Sequence, residues 1–102
     1  MKTTKEIWKK VDENKRSEYY VSNMGRCKQI VKRTGEATIS HGYLNAAIGY
    51  RMLNRKYIHR LVAEAFIPNP NNYEQVDHLN NDRVDNRVEN LRWSSRKMNN
   101  ST

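Results

Sequence analysis

Toward the C-terminal end of the sequence stand a carboxylate and an imidazole side by side, Asp77 and His78, and a carboxamide further on, Asn99. A carboxylate and an amide oxygen converging on one cation suit a hard ion, Mg²⁺ foremost and Mn²⁺ as its substitute. With only two protein ligands, several coordination positions stay open to water and phosphate oxygens, as phosphoryl transfer requires. An imidazole with an ordinary pKa of ~6.5 suits a general base that takes a proton from an attacking water. On a regular strand, neighbouring side chains leave opposite faces, so a distortion or the following loop must turn His78 toward the same centre as Asp77.

These groups need elements to bring them together. Val76–Leu79 and Leu91–Ser94 read as short strands joined by a polar loop through Asn80, Asn81, Asp82, Asp85 and Asn86. Ser94 or Ser95 can cap a terminal helix that bears Asn99. Upstream, Ile58, Leu61, Val62, Ala65 and Phe66 form one apolar helical stripe, and Pro68 and Pro70 stop it. His59 on that helix is expected to pack against the C-terminal hairpin or to contact a phosphate. It is not expected to do chemistry.

The front of the chain has the signals of short strands. Tyr19-Tyr20-Val21 is aromatic and β-branched, Asn23-Met24-Gly25 can turn, and Arg26–Lys32 follows as the return strand. Tyr43–Ile48 and Tyr50–Tyr57, separated by Gly49, are two more strand-like runs. Residues 1–18, sparse in apolar side chains around Ile7, Trp8 and Val11, fit a short helix or an extended lead-in equally well. The expected fold class is α+β: a small N-terminal antiparallel sheet, a linking helix and a C-terminal strand-loop-strand-helix unit.

The chain has 102 residues, 36% of them hydrophobic, and a formal charge of +8. That length holds one domain, or two small modules sharing a thin core. The charge is uneven: residues 1–60 carry +9 and residues 61–102 carry −1. A basic half of this kind neutralises a line of phosphates with release of counterions. Its candidate contacts are Arg26, Lys28, Lys32, Arg33, Arg51, Arg55, Lys56 and Arg60. The single cysteine, Cys27, excludes an internal disulfide and suits a reducing, cytoplasmic setting. No stretch reaches the ~18 apolar residues of a membrane span.

The sequence resembles the HNH endonucleases, in particular the small phage and intron-encoded homing enzymes with a modular DNA-binding segment in front. The matching strings are Tyr57-Ile58-His59-Arg60-Leu61-Val62-Ala63-Glu64-Ala65-Phe66-Ile67-Pro68-Asn69-Pro70, then Val76-Asp77-His78, Asn86, Asn90-Leu91-Arg92-Trp93 and Asn99. In the front part they are Ile7-Trp8, Tyr20-Val21-Ser22-Asn23, Gly25-Arg26 and Gly42-Tyr43. The resemblance implies a ββα-metal fold for residues 76–100. It makes Asp77 and Asn99 metal ligands, His78 the general base, and Asn90 the buttress of the loop between the strands.

The expectation is therefore a metal-dependent endonuclease acting on double-stranded DNA, nicking once per active site, as a monomer or homodimer. Residues 1–56 would form the basic module and 57–102 the helix with the nuclease motif, in the cytoplasm of a bacterial host of a phage or mobile element. The chief rival is a DNA-binding module with a vestigial nuclease site. A structural or RNA-binding protein is the second.

Overall fold

The computed structural model describes residues 5–95. Its first sheet has four antiparallel strands in the order β1 (Trp8–Glu13), β2 (Ser17–Ser22), β3 (Cys27–Val31) and β4 (Ala37–Ser40). The lead-in whose sequence fitted helix or strand is thus extended, paired Trp8 to Ser22 and Glu13 to Glu18, with a register shift between Lys10 and Asp12. Pairing settles the ambiguity, because one edge strand satisfies a row of backbone groups that a short amphipathic stretch could not. β4 has no counterpart among the expected strands. All four of its residues are exposed, so the strand has no buried face.

A second sheet consists of β5 (Tyr43–Asn45), β6 (Tyr50–Leu53) and β7 (Lys56–Tyr57). The run Tyr50–Tyr57 is accordingly two strands and not one. Asn54 and Arg55 sit at φ 52° and 70° and turn the chain back on itself. Consecutive left-handed residues make a tight hairpin turn, and Asn is at home in one while Arg gives no such signal.

Helix α1 (Ile58–Phe66) follows at once and buries Ile58, Leu61, Val62 and Ala63. The Ile67 N–H closes it on the Ala63 carbonyl at 2.9 Å, and Pro68 comes next. A C-terminal hairpin completes the described chain: β8 (Gln75–His78) pairs antiparallel with β9 (Leu91–Ser94), with a 3-10 turn at Val88–Asn90 between them. The helix expected to bear Asn99 lies outside the described residues.

One core joins most of these elements. Val21 and Cys27 from the first sheet meet Ile58, Leu61 and Val62 of α1 and Leu91 of β9, with Val11, Leu53, Val76 and Val88 packed around them. Each fully buried aliphatic side chain contributes about 1.5–3 kcal/mol, so these five, with Cys27 beside them, weigh heavily in the stability of a chain this small. The protein is a small α+β molecule whose sheets are antiparallel.

Candidate active site

Asp77 and His78 occupy the last two positions of β8, opposite Arg92 and Leu91 of β9. The Asp77 carboxylate lies 3.4 Å from Nη2 of Arg92, a long ion pair on a side chain that keeps 27% of its exposure. A half-buried carboxylate at this position offers oxygen donors to a cation. Hard oxygen donors fit a hard divalent ion. Asn99, the other expected donor, lies outside the described residues. Among the described residues, no three His, Cys, Asp or Glu side chains cluster to hold a metal ion.

His78 is the most tightly placed of the expected residues. One of its ring nitrogens, Nε2, is 2.7 Å from Oδ1 of Asn86. An amide oxygen only accepts, so Nε2 carries the proton and donates, leaving the lone pair on Nδ1. Asn86 is itself buried, at 3% exposure. The imidazole also packs against His59 of α1, with ring centroids 4.9 Å apart, and against Tyr50 of β6 at 6.1 Å.

Tyr50 stacks on His59 at 4.9 Å, and Tyr57 meets both rings at 5.4 Å. Burial pushes His59 down to about 4, and the neighbouring His78 and Arg60 push the same way. The ring is therefore neutral at pH 7, and its Nδ1 is buried without a hydrogen-bond partner. His59 packs against the hairpin's histidine, one of the two placements expected for it.

Asn90 fixes the loop that follows. Its Nδ2 donates to Oδ1 of Asn80 and to the Asp85 carbonyl, both at 2.9 Å, and its Oδ1 accepts the Asn80 N–H at 3.1 Å. A single carboxamide thus closes three bonds across ten residues while adding no charge. Arg87 clamps Asp85 through Nε and Nη2, both at 2.7 Å. That guanidinium, with help from Asn80, lowers Asp85 to about 2.

The expected phosphate contacts fall into two groups. Arg26 forks onto Glu6, Lys32 reaches Glu13 at 2.6 Å, and Lys56 lies 3.5 Å from Asp12. Arg60 pairs with Glu64 at 3.6 Å and donates to the Glu74 carbonyl. Lys28, Arg33, Arg51 and Arg55 make no ion pair among the described residues. Lys28 rests over the Trp8 ring at 4.4 Å. Arg33 shares a surface cleft of about 480 Å³ with Lys15, Arg16 and Val31. Lys15 and Arg16 escaped the sequence reading, though their adjacency in the turn between β1 and β2 was visible.

Sequence similarity agrees with this geometry. Residues 56–101 match the family model of an HNH endonuclease. Over that stretch the chain is similar to the HNH endonucleases. Two uncharacterised HNH endonucleases of Acanthamoeba polyphaga mimivirus are similar to it. One is 38% identical across 86% of the chain, the other 44% identical across 57%. The chain spans only 23% and 18% of those two relatives. The solved structure of the HNH homing endonuclease I-HmuI, described as binding and cleaving DNA, superposes over 91% of this chain and 55% of its own. The TM-score is 0.59 and the identity 27%. That alignment takes in most of the front sheets as well as the HNH hairpin. Among the described residues, no helix is long and apolar enough to cross a membrane.

Proposed function

We propose that this protein is a divalent-metal-dependent endonuclease that hydrolyses a phosphodiester bond of double-stranded DNA and nicks one strand per active site. The observation that carries the reading is His78. It is an imidazole at the end of β8, next to Asp77, with Nε2–H tied to a buried amide oxygen and its other nitrogen left basic. A base must have one nitrogen committed and the other available, and this bond supplies that division.

In the proposed reaction His78 removes a proton from a water that attacks phosphorus in line with the leaving 3′ oxygen, yielding 5′-phosphate and 3′-hydroxyl ends. Asp77 and Asn99 would hold the cation, Mg²⁺ or Mn²⁺, which supplies charge stabilisation at the phosphate and the leaving oxygen. Asn90 keeps the loop after β8 in place through its three bonds. Residues 1–56 act as the basic module on the duplex, and 57–102 as the helix and nuclease motif. Arg33, Arg51, Arg55 and Lys28 are the cations best able to meet phosphates. Arg26, Lys32, Lys56 and Arg60 join them at the edges of their internal pairs. Base reading would require a bidentate donor in the major groove.

We place the activity in the cytoplasm of a cell hosting a phage or other mobile element, with the protein acting as a monomer or homodimer. The test is cleavage of supercoiled plasmid with Mg²⁺ or Mn²⁺. Wild type should convert it to open circle, and His78→Ala should lose at least 100-fold in rate. Equal rates for the two proteins would end the proposal.

A further inference from the structure

The turn between β2 and β3 belongs to the front sheet, yet it touches the loop that holds His78. Gly25 in that turn has φ +79°, and a Cβ added to it would lie 2.6 Å from the Asn86 carbonyl carbon, 2.8 Å from its oxygen and 2.9 Å from the Arg87 nitrogen. These are backbone atoms, which cannot swing aside as the end of a side chain can. Beside this contact the Val88 N–H donates to the Asn23 carbonyl at 2.9 Å. The Asn86 side chain then reaches Nε2 of His78.

The turn is anchored on its own side as well. Asn23 Oδ1 accepts the Ile7 N–H at 2.7 Å, and Ser22 Oγ accepts the N–H groups of Met24 and Arg26 while donating to Glu6. Gly25 is therefore pressed between a turn that is tied down and a strand of loop backbone that carries Asn86.

We propose that this turn is a positioning element for the base: Gly25 seats the Asn86 backbone, and Asn86 fixes the His78 ring with its proton on Nε2. The proposal rests on the reading of His78 as the base. It adds that the geometry of that base is set by a part of the molecule outside the HNH match, which begins at residue 56. Asn86 and Gly25 are positioning residues, acting through His78.

The fold supplies its own control. Gly35 has φ +74°, nearly the same backbone conformation as Gly25, with nothing within 4 Å of an added Cβ. Gly35→Ala and Gly25→Ala therefore incur the same local strain, and only the second displaces Asn86.

The decisive experiment compares the two variants in Mg²⁺-dependent plasmid nicking, with kcat and KM separated. It is paired with nitrogen-15 NMR of the histidine rings in the metal-free protein at pH 8. Gly25→Ala should lower kcat at least tenfold with KM for DNA within twofold of wild type, and Gly35→Ala should match wild type. The His78 ring should carry its proton on Nε2 in wild type, and Asn86→Ala should shift it toward a mixture of tautomers. Asn86→Asp keeps an acceptor at that place and should restore the Nε2–H signature.

Equal kcat for the two glycine variants would overturn the proposal, as would a His78 ring unaltered in Asn86→Ala. Should Gly25→Ala fail to fold, the ring signature of the two Asn86 variants decides. Failure of the base reading is seen separately, as a His78→Ala protein that nicks like wild type.

Discussion

The two ends of the molecule solve the same problem with different side chains. The first sheet holds its surface with charges: Glu6 with Arg26, Lys10 with Glu13 and Glu18, Lys32 with Glu13. The loop between β8 and β9 is held from within by carboxamides, Asn80, Asn86 and Asn90, the last two buried. Charges on an exposed sheet cost little to solvate and can exchange partners when a phosphate arrives. Buried amides cannot exchange partners without leaving a polar atom unsatisfied, so they fix one geometry. The difference separates a surface that can be recruited from a site that must not move.

The largest effect expected from breaking this contrast is at Asn90. Asn90→Ala leaves the Asn80 N–H and the Asp85 carbonyl without their partner and should cost about 2–3 kcal/mol. In a chain of this size that lowers Tm by on the order of 10 °C in a thermal melt. A melt within about 2 °C of wild type would show that the loop is held by something else.

Acid should weaken both ends, each through its own carboxylate. Arg26 above all, with Ser22, lowers Glu6 to about 2, and Arg87 lowers Asp85 to about 2. Folded values below the ordinary 4.5 and 3.8 mean that the stabilisation is complete above the ordinary value. It is lost as pH falls toward 2. Tm measured from pH 5 to pH 2 should therefore fall, and Glu6→Gln and Asp85→Asn should each flatten the curve. A variant as acid-sensitive as wild type would remove its carboxylate from the account.

Smaller effects should distinguish paired from unpaired cations. Arg51→Ala and Arg55→Ala should each reduce the slope of log Kd against log salt by about 1 and weaken duplex binding several-fold. Lys32→Ala should do less, because Glu13 already holds that ammonium. Equal losses at all three would mean that the ion pairs open on binding. Least of all, Glu13→Gln should leave Tm almost unchanged and tighten DNA binding slightly by freeing Lys32, while Lys10 keeps Glu18.

Much of this arrangement was legible in the residues themselves. The stripe from Ile58 to Phe66 is an α-helix because its apolar spacing allows nothing else of that length, and the β8–β9 hairpin falls where the polar loop put it. The turn at Asn54–Arg55 was hidden because only one of its two residues is a usual left-handed one. β4 was hidden because it buries nothing. Asn86 stood in the matching string without a role: it meets His78 across a loop, and no periodicity encodes that meeting. Tyr50 and His59 reach the same ring from a strand and a helix brought together by the shared core.

Cys27 deserves a different use from the one its rarity first suggests. As the sole thiol, 2% exposed and packed among residues from the sheet, the helix and the hairpin, it is shielded by all three at once. Its rate of alkylation in the native protein becomes a clock for the openings that part them, recorded at one atom without any label having been introduced.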